Sequence, residues 1–386
     1  MRPGSPGPMS EALSAEFDGL GERAWLNTAH QGAIPRRAAE AGHAAIERKR
    51  APWTMDPDSW EVVPGRVRTA LAGLIGARVG DIVLATSASY GLELLARTLP
   101  LEAGDEVLLV DGDFPATIYP WLPLRERGIA VRLLTPDTPF DAERLSGELG
   151  ARTRVFCSSW VFSFSGRAVD PPALGDACAE NGTTFILNAT QAIGARAAAV
   201  DELRADALVG SGFKWLCGPY ATGFAWLSPA LRDRLTYRPA YWLTHQMAAP
   251  GSFEHRATYD LAEVGAAAYD LTDTANFFNF ETWAESLELI LEIGVERIES
   301  HNQALVQELI DGIGETPLTV GSPTSGPERS TLVFASHPDP EKNTDLFQAL
   351  RDAGVDAALR AGCLRFSPHL YNRSQDIDRA LEVLLA

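Results

Sequence analysis

The sequence predicts an α/β protein with a large domain, in which helices sandwich a mostly parallel seven-stranded sheet, and a smaller C-terminal α+β domain. From Asp81 onward, short apolar runs alternate with helical patterns, which is typical of parallel strands that are buried on both faces. Polar or glycine-rich groups follow these runs, where ligands bind in such sheets. Beyond about Pro239, aromatic loops and a long amphipathic pattern replace the alternation.

Seven apolar runs form the predicted sheet. They are residues 82–85, 106–110, 131–134, 155–159, 184–187, 207–210 and 223–227. Helices are predicted before the sheet, ending near Arg50 and spanning about 64–76. In the smaller domain we expect one long helix from about 282 to 307, and strands near 330–334 and 363–367.

A chain of 386 residues is long for a single core, so we expect two domains. Residues 1–10 are rich in proline and glycine and predict a disordered tail. Residues 11–50 are expected to form an N-terminal segment that packs with the small domain. The large domain then covers 51–245 and the small domain 246–386.

The composition indicates a folded protein, with 46% hydrophobic and 22% charged residues. The formal net charge of −18 disfavours nucleic acid and anionic membranes as partners. No apolar run is long enough to cross a membrane and the start of the chain has no apolar signal core, so we expect a cytoplasmic protein. The four cysteines lack metal-site spacing, and we expect no metal ion.

Lys214 is the candidate catalytic residue. The sequence holds three lysines, and the other two, Lys49 and Lys342, lie among charged residues. Lys214 instead lies between Phe213 and Trp215, just after an apolar run, where an unpaired ammonium group is rarely tolerated. Burial favours the neutral amine, which is the nucleophile that forms a Schiff base with an aldehyde. The alternative is a surface lysine that snorkels between two half-exposed aromatic rings.

Two further stretches predict a ligand pocket. Small hydroxyl residues at 86–91 follow the first strand and open a helix, whose N-terminal amides suit a phosphate, although serine and threonine are also ordinary helix caps. The segment 26–35 carries Asn27, His30 and Gln31 before a glycine, which makes it a pocket wall or a connecting loop. No G-x-G-x-x-G follows the first strand, and this disfavours a dinucleotide enzyme.

Three segments together resemble one enzyme family. Residues 211–219 resemble its cofactor-lysine segment, residues 188–194 its Asp-Ala-x-Gln-x-x-Gly motif, and residues 365–372 the segment of its carboxylate-binding arginine. The chain, over about 26–384, is similar to pyridoxal phosphate enzymes of fold type I in the aminotransferase class V group. The most similar branch contains kynureninase, isopenicillin epimerase and cysteine-conjugate C–S lyases.

The resemblance implies that pyridoxal 5'-phosphate is the cofactor and that Lys214 forms the Schiff base with it. The residues implied to hold the phosphate are Ala88, Ser89, Ser211 and, from a neighbouring subunit, Thr274. The residues implied to contact the ring are Phe114 by stacking, Ser163 and Gln191 at the phenolic oxygen, and Asn188 at the ring nitrogen. A site shared in this way implies a homodimer.

The resemblance also assigns the substrate α-carboxylate to Arg365, whose guanidinium can bind a carboxylate with two hydrogen bonds. An internal salt bridge is the alternative role of Arg365. Asn27 is a second candidate contact for the same carboxylate. The partner is therefore expected to be a small amino-acid substrate.

Asn188 departs from the family pattern, which has a carboxylate at this position. A carboxylate keeps the pyridine nitrogen protonated, whereas an amide carries no charge, so we expect a weaker electron sink. Our hypothesis is that the reaction does not require a long-lived, fully developed quinonoid, as in β-elimination with a good leaving group on Cβ. The alternative is that a neighbouring group or the fold tolerates asparagine with no change in the reaction. Phe213 is a second departure, because cysteine desulfurases have histidine before the lysine. They also carry a persulfide on a loop cysteine, and this chain has no cysteine in that loop. Both differences disfavour cysteine desulfurase activity.

These observations predict a C–S lyase-type β-elimination on a cysteine-derived conjugate in a biosynthetic pathway. Lys214 would act as the acid and base at Cα. Aminotransferase and epimerase activities remain open, because the fold does not decide which bond to Cα breaks. A non-catalytic relative that binds pyridoxal phosphate is a further alternative.

Overall fold

The computed structural model describes residues 13, 15–135, 141–239, 241–247, 263–274 and 276–386. Its strands are β1 (Ala24–Trp25), β2 (Ile82–Ala85), β3 (Glu106–Val110), β4 (Ala130–Leu134), β5 (Thr153–Ser159), β6 (Thr184–Asn188), β7 (Ala207–Ser211), β8 (Gly223–Leu227), β9 (Thr319–Val320), β10 (Val333–Ser336), β11 (Val355–Asp356), β12 (Ala358–Arg360) and β13 (Cys363–Phe366). The predicted tail, residues 1–10, lies outside the described residues.

The α-helices in the same ranges are α1 (Arg36–Arg50), α2 (Ser59–Leu74), α3 (Ala88–Thr98), α4 (Pro115–Ile118), α5 (Ala142–Glu148), α6 (Pro171–Asn181), α7 (Val200–Leu203), α8 (Pro229–Arg232), α9 (Trp242–Met247), α10 (Phe277–Ile293), α11 (Val295–Ile313), α12 (Lys342–Asp352) and α13 (Ser374–Leu385). Short 3-10 helices cover Asp18–Leu20, Pro52–Thr54, Val79–Asp81, Tyr119–Arg127 and Gly265–Tyr269. None of the helices in these ranges combines the length and the apolar character needed to cross a membrane.

The seven predicted strands form one sheet in the order β2-β8-β7-β6-β5-β3-β4. The pairs from β7 to β4 are parallel, and β8 is antiparallel to both of its neighbours. The strand bounds agree with the predicted ones to within two residues. The predicted α/β fold with a mostly parallel seven-stranded sheet is confirmed.

Both faces of this sheet are buried, which explains why its strands are unbroken apolar runs. In β2, Leu84 packs in the core that contains Leu71 of α2, whereas Val83 packs in the core on the other face, which contains Leu95 of α3. All four side chains are fully buried. Each such side chain contributes about 1.5–3 kcal/mol of hydrophobic stabilisation.

The C-terminal part contains a second sheet, which is antiparallel with the order β12-β13-β10-β9. Its core combines Leu309 of α11, Leu350 of α12 and Leu384 of α13 with Ala24 and Leu26 from the N-terminal segment. Strand β1 pairs in parallel with β11. The N-terminal segment therefore contributes both backbone pairing and apolar side chains to this part.

The prediction of one long helix over about 282–307 was wrong. Two helices, α10 and α11, cover this region, and Gly294 separates them with φ 87° and ψ 128°. A positive φ is accessible to glycine at little energetic cost and ends a right-handed helix. The apolar pattern continues from Ile290 to Ile298 and conceals the break, because both residues are buried in the same core.

The carboxyl ends of four adjacent strands gather the predicted site residues on one edge of the large sheet. The segments after β7, β5 and β3 carry Lys214, Ser163 and Phe114, and Asn188 is the last residue of β6. Parallel strands end at the same edge, so residues that are distant in sequence lie side by side there.

Candidate active site

A cavity of about 530 Å³ opens at this edge of the sheet. Its lining residues are Ala29, His30, Ser87, Ala88, Ser89, Phe114, Ala116, Ser159, Ser163, Phe164, Asn188, Thr190, Gln191, Ser211, Phe213, Lys214, Tyr220, Arg360 and Arg365. These include all the predicted site residues except Asn27 and Thr274. The lining contains Lys214 and two arginines, Arg360 and Arg365, and no carboxylate, so the cavity favours anionic ligands.

The Lys214 amine is buried, with 7% of the residue exposed. No carboxylate among the described residues pairs with it, and the Phe114 and Phe213 rings lie with their centroids 5.4 and 5.8 Å from Nζ. Burial, followed by the charges of Arg365 and Arg360, lowers the pKa of Lys214 to about 7. A large fraction of the amine is therefore neutral and nucleophilic at pH 7, and the alternative of a snorkelling surface lysine is wrong.

The segment around Gly32 packs directly against the lysine loop. The Gly32 amide donates a hydrogen bond of 2.9 Å to the carbonyl of Phe213. A Cβ atom on Gly32 would lie 2.0 Å from the Lys214 carbonyl oxygen, so only glycine allows this approach. His30, from the same segment, lines the cavity, and burial, followed by the Arg360, Arg365 and Lys214 charges, lowers its pKa.

Gln191 is held in one orientation by three hydrogen bonds. Its Oε1 accepts from the Trp215 indole at 2.9 Å, and its Nε2 donates to the Ala29 carbonyl at 3.1 Å and to Ser163 Oγ at 3.2 Å. Trp215 Nε1 can only donate, which fixes the amide oxygen on that side. The Ser163 hydroxyl therefore accepts from Gln191 and retains its own proton to donate to a ligand.

The predicted phosphate site lies at the start of helix α3. Ser87 caps this helix by accepting from the Tyr90 amide at 3.2 Å, and the Ala88 amide donates to Ser211 Oγ at 3.1 Å. Ser89 lies in the first turn, where amide groups have no partner within the helix. An eleven-residue helix thus directs the positive end of its dipole towards the cavity.

Arg365 has only 3% of its surface exposed. Nη1 donates weakly to the Ser163 carbonyl at 3.4 Å, whereas Nε and Nη2 are buried and lack hydrogen-bond partners among the described residues. Burial, followed by the charge of Arg360, lowers the pKa of Arg365 to about 10. No carboxylate in the described ranges pairs with Arg365. The described residues therefore give no support to the alternative of an internal salt bridge, and the free donors fit an anionic ligand.

Phe114 is partly exposed at 38%, and its ring stacks on that of Phe164 at 6.2 Å between centroids. Asn188 is buried in the lining of the same cavity, where Oδ1 accepts from the Thr190 amide at 3.1 Å and Nδ2 donates to Thr117 Oγ1 at 3.0 Å. An exposed aromatic face and a fixed amide are the features that the predicted ring contacts require.

Two predicted residues lie away from the cavity lining of this chain. Asn27 is buried behind it, in a bridge with Ser367, and its Oδ1 has no partner among the described residues. Thr274 is buried near a different surface, and its predicted role requires a second subunit. Both assignments stay predictions.

Sequence reasoning missed Arg360, Thr190 and Tyr220, which also line the cavity. Arg360 ends strand β12, which is antiparallel to β13. The hairpin thus brings a second guanidinium near Arg365. Only an arginine five residues before Arg365 signals this in the sequence, and arginine is common throughout the chain.

The cavity combines two features at the carboxyl edge of the parallel strands: the buried amine of Lys214 and the guanidinium of Arg365, neither of which pairs with a carboxylate among the described residues. These features define an enzyme that can bind an aldehyde and an anionic amino compound. The chain belongs to the aminotransferase class V family, whose profile matches residues 64–380. The predicted resemblance and the prediction of an enzyme are confirmed.

Relatives cover almost the whole chain. It is 27% identical over 376 residues to isopenicillin N epimerase of Streptomyces clavuligerus, covering 93% of each protein. It is 26% identical over 393 residues to kynureninase of Deinococcus radiodurans, covering 96% of this chain and 92% of the relative. Among solved structures, a cystine C–S lyase matches with a TM-score of 0.85 and 19% identity, covering 96% of this chain and 99% of that one.

The predicted cofactor, pyridoxal 5'-phosphate, is confirmed at the level of the family. The residues of this chain fit it, since the cavity holds a buried amine without a carboxylate partner and lies at a helix N-terminus. A volume of about 530 Å³ lies in the range of small-ligand sites.

Proposed function

We propose that this enzyme acts on an amino-acid substrate and cleaves the Cβ–S bond of a cysteine-derived conjugate by β-elimination, as one step of a biosynthetic pathway. The observation that carries the proposal is the uncharged Asn188, fixed by hydrogen bonds to Thr117 and Thr190, at the position where the family has a carboxylate. An amide stabilises a carbanion less than an ion pair with the ring does, and a leaving group on Cβ removes the charge as it forms. The cystine C–S lyase with the same fold is consistent with this choice.

Each residue of the cavity would have a separate role in this reaction. When bound, pyridoxal phosphate supplies a covalent link to the substrate amine and an electron-withdrawing ring. Arg365 binds the α-carboxylate through the donors that lack partners, and this orients Cα. Lys214, with a pKa of about 7, accepts the Cα proton as a neutral amine and can return it as an ammonium group.

The bond changes of the elimination itself balance, and water is consumed only in the later hydrolysis. The Cα–H electron pair forms a Cα–Cβ double bond as Lys214 takes the proton, and the Cβ–S pair leaves with sulfur as a thiolate. Hydrolysis of the released enamine then yields pyruvate and ammonia. The Gly32 segment, packed on the lysine loop at 2.9 Å, would exclude water while the bonds change.

Epimerisation at Cα is the second candidate. It is supported by the 27% identity to isopenicillin N epimerase over 93% of the chain. His30 also supports it, because this cavity side chain has a lowered pKa and is a second group that can transfer a proton. Transamination, and a relative that binds the cofactor without catalysis, stay as further alternatives.

A cysteine desulfurase reaction is not favoured by the chain. All four cysteines lie in the described ranges, and none of them lines the cavity. Cys157, Cys178 and Cys217 are buried, and burial raises the pKa of each thiol. A persulfide-carrying thiolate at the cavity therefore has no candidate residue.

The proposal includes a homodimer in which Thr274 of one subunit binds the cofactor phosphate of the other. Its support is a second cavity, of about 1080 Å³, lined by Trp60, Trp242 and Phe278 and by Asp273 near Thr274. Trp242 and Phe278 are 58% and 44% exposed, and a second copy of the chain would cover them. Analytical ultracentrifugation of the holoenzyme would test this, and a monomer would contradict it.

The same proposal locates the enzyme in the cytoplasm, supported by four cysteines that are all free thiols. Cell fractionation with an antibody against the native protein would test this location. Recovery of the protein mainly outside the cytoplasm would contradict it.

The reaction can be tested by incubating the holoenzyme with S-substituted L-cysteines in D2O. Elimination releases pyruvate, ammonia and the thiol in equal amounts, whereas epimerisation gives the D-enantiomer with deuterium at Cα. Asn188→Asp is the matched variant, and we expect it to change the product distribution and the cofactor absorbance. Identical spectra, rates and products in the two proteins would contradict the role of Asn188.

A further inference from the structure

A buried carboxylate lies near Asn188 and is connected to it. Asp113 follows strand β3, has 4% of its surface exposed, and is not paired with a cation in the described part of the chain. Its Oδ1 accepts from Ser159 Oγ and from the Phe114 amide, each at 2.6 Å, and its Oδ2 accepts from the Ser159 amide at 2.8 Å. Three short hydrogen bonds therefore support one negative charge below the cavity.

Two hydroxyl groups link this carboxylate to the Asn188 amide. Ser159 Oγ lies 3.3 Å from Thr117 Oγ1, which in turn lies 3.0 Å from Asn188 Nδ2. All four residues are buried. The chain of hydrogen bonds connects the ends of β3, α4, β5 and β6, which adjoin one another at the edge of the sheet.

The direction of each proton in this chain is fixed by its ends. An ionised Asp113 can only accept, so the Ser159 hydroxyl donates to it and must accept from Thr117. At the other end the Thr190 amide can only donate, which holds Asn188 Oδ1 against it and turns Nδ2 towards Thr117. Every donor thus points towards Asp113, and hydrogen bonds aligned in this way polarise one another.

We propose that Asp113 is a positioning residue whose negative charge reaches Asn188 through the two hydroxyl groups. It supplies at a distance part of the effect that a carboxylate at position 188 would supply directly. Electron density moved towards the Asn188 oxygen makes that atom a stronger acceptor. A stronger acceptor favours a proton on the cofactor ring nitrogen, and the inference rests on the proposed contact between that nitrogen and Asn188.

The charge state of the surrounding groups agrees with this role. Burial raises the pKa of Asp113 to about 6, against the lowering effect of its hydrogen bonds from Ser159 and Phe114, so the carboxylate is ionised at pH 8. The Cys157 thiol also interacts with Asp113, and burial raises its pKa, which keeps it neutral. At pH 8 the chain of hydrogen bonds from Asp113 to Asn188 therefore carries one negative charge, at Asp113.

The test is solid-state 15N NMR of holoenzymes loaded with ring-15N-labelled pyridoxal phosphate at pH 8. We expect the ring nitrogen of Asp113→Asn to move towards the free-base position, with a protonation equilibrium lowered by about tenfold. Thr117→Val removes one link, keeps Asp113 and its partner Ser159, and should move the signal in the same direction. The control Asp206→Asn removes a carboxylate at the opposite edge of the sheet and should leave the signal at the wild-type position.

The same substitution in the Asn188→Asp variant distinguishes an electrostatic effect of Asp113 from a change in packing. With Asn188→Asp a carboxylate faces the ring directly, so adding Asp113→Asn should no longer move the ring signal. Equal signals in wild type, Asp113→Asn and Thr117→Val would overturn the inference, as would an equal shift in both backgrounds. A wild-type protein that takes up no labelled cofactor would instead contradict the proposed function, which keeps the two failures distinct.

Discussion

Replacing Lys214 by methionine should stabilise the apoprotein at neutral pH. The Lys214 amine is buried without a carboxylate partner among the described residues, and its pKa falls from 10.5 to about 7 on folding. Between these two values the unfolded chain binds more protons than the native protein. The free energy of unfolding of the wild type therefore rises with pH in this window, and Lys214→Met lacks that contribution.

The two pKa values set the magnitude. Burying the Lys214 amine destabilises the native state by about 4 kcal/mol at pH 7 and by about 1.5 kcal/mol at pH 9.5. Methionine has a similar length and no charge, so its packing effect does not vary with pH. We expect the advantage of Lys214→Met to shrink by about 2–3 kcal/mol between pH 7 and 9.5.

Urea unfolding of the two apoproteins, followed by tryptophan fluorescence and circular dichroism, measures this difference. Lys49→Met is the control, because it removes an exposed lysine that lies outside the cavity. The other titrating groups are common to both proteins and cancel. A difference that stays constant from pH 7 to 9.5 would refute the shifted pKa and with it the neutral nucleophile.

Three single contacts of the site can be tested by substitution. Arg365→Lys keeps the positive charge but cannot form two parallel hydrogen bonds to a carboxylate. The KM for the amino-acid substrate should therefore rise about 30- to 100-fold, with unchanged affinity for the cofactor. An unchanged KM in steady-state kinetics would contradict the role of Arg365. Arg360→Gln removes a charge that lowers the pKa of Lys214, so the midpoint of the pH profile for pyridoxal phosphate capture should move to higher pH in stopped-flow absorbance; a lower or unchanged midpoint would count against it. Gly32→Ala places a Cβ 2.0 Å from the Lys214 carbonyl oxygen and should lower the free energy of unfolding by about 2 kcal/mol or more in urea titrations. The control is Gly147→Ala, because Gly147 has open space around it and its replacement should not lower the free energy of unfolding.

The sheet could be predicted from sequence because its strands are short apolar runs bounded by polar or glycine-rich groups. Because the sheet is buried on both faces, its strands are mostly apolar on both sides, and a strand can be identified without knowing which face each side chain occupies. Ser211 extended β7 by one residue because it bonds within the sheet while its hydroxyl accepts from Ala88. The break at Gly294 was missed because a hydrophobic pattern records burial and carries no record of φ.

The site could be predicted only in part, because a motif names residues without their partners. Lys214 and Arg365 were identified from local context and resemblance, and their burial follows from the same context. The link from Asn188 to Asp113 depends on β6, β5 and β3 being neighbours in that order, which is a property of the topology. Local sequence contains no signal for such contacts, since the residues are 75 positions apart.

The central claim is that Lys214 is the amine that holds the cofactor. Incubation with pyridoxal phosphate, reduction with borohydride and peptide mass spectrometry would locate the linked lysine, and the chain offers only Lys49, Lys214 and Lys342. We expect one equivalent of label on Lys214 and loss of the visible absorbance band in Lys214→Ala. Label spread over the two exposed lysines, or a band that survives in Lys214→Ala, would show that another amine holds the cofactor.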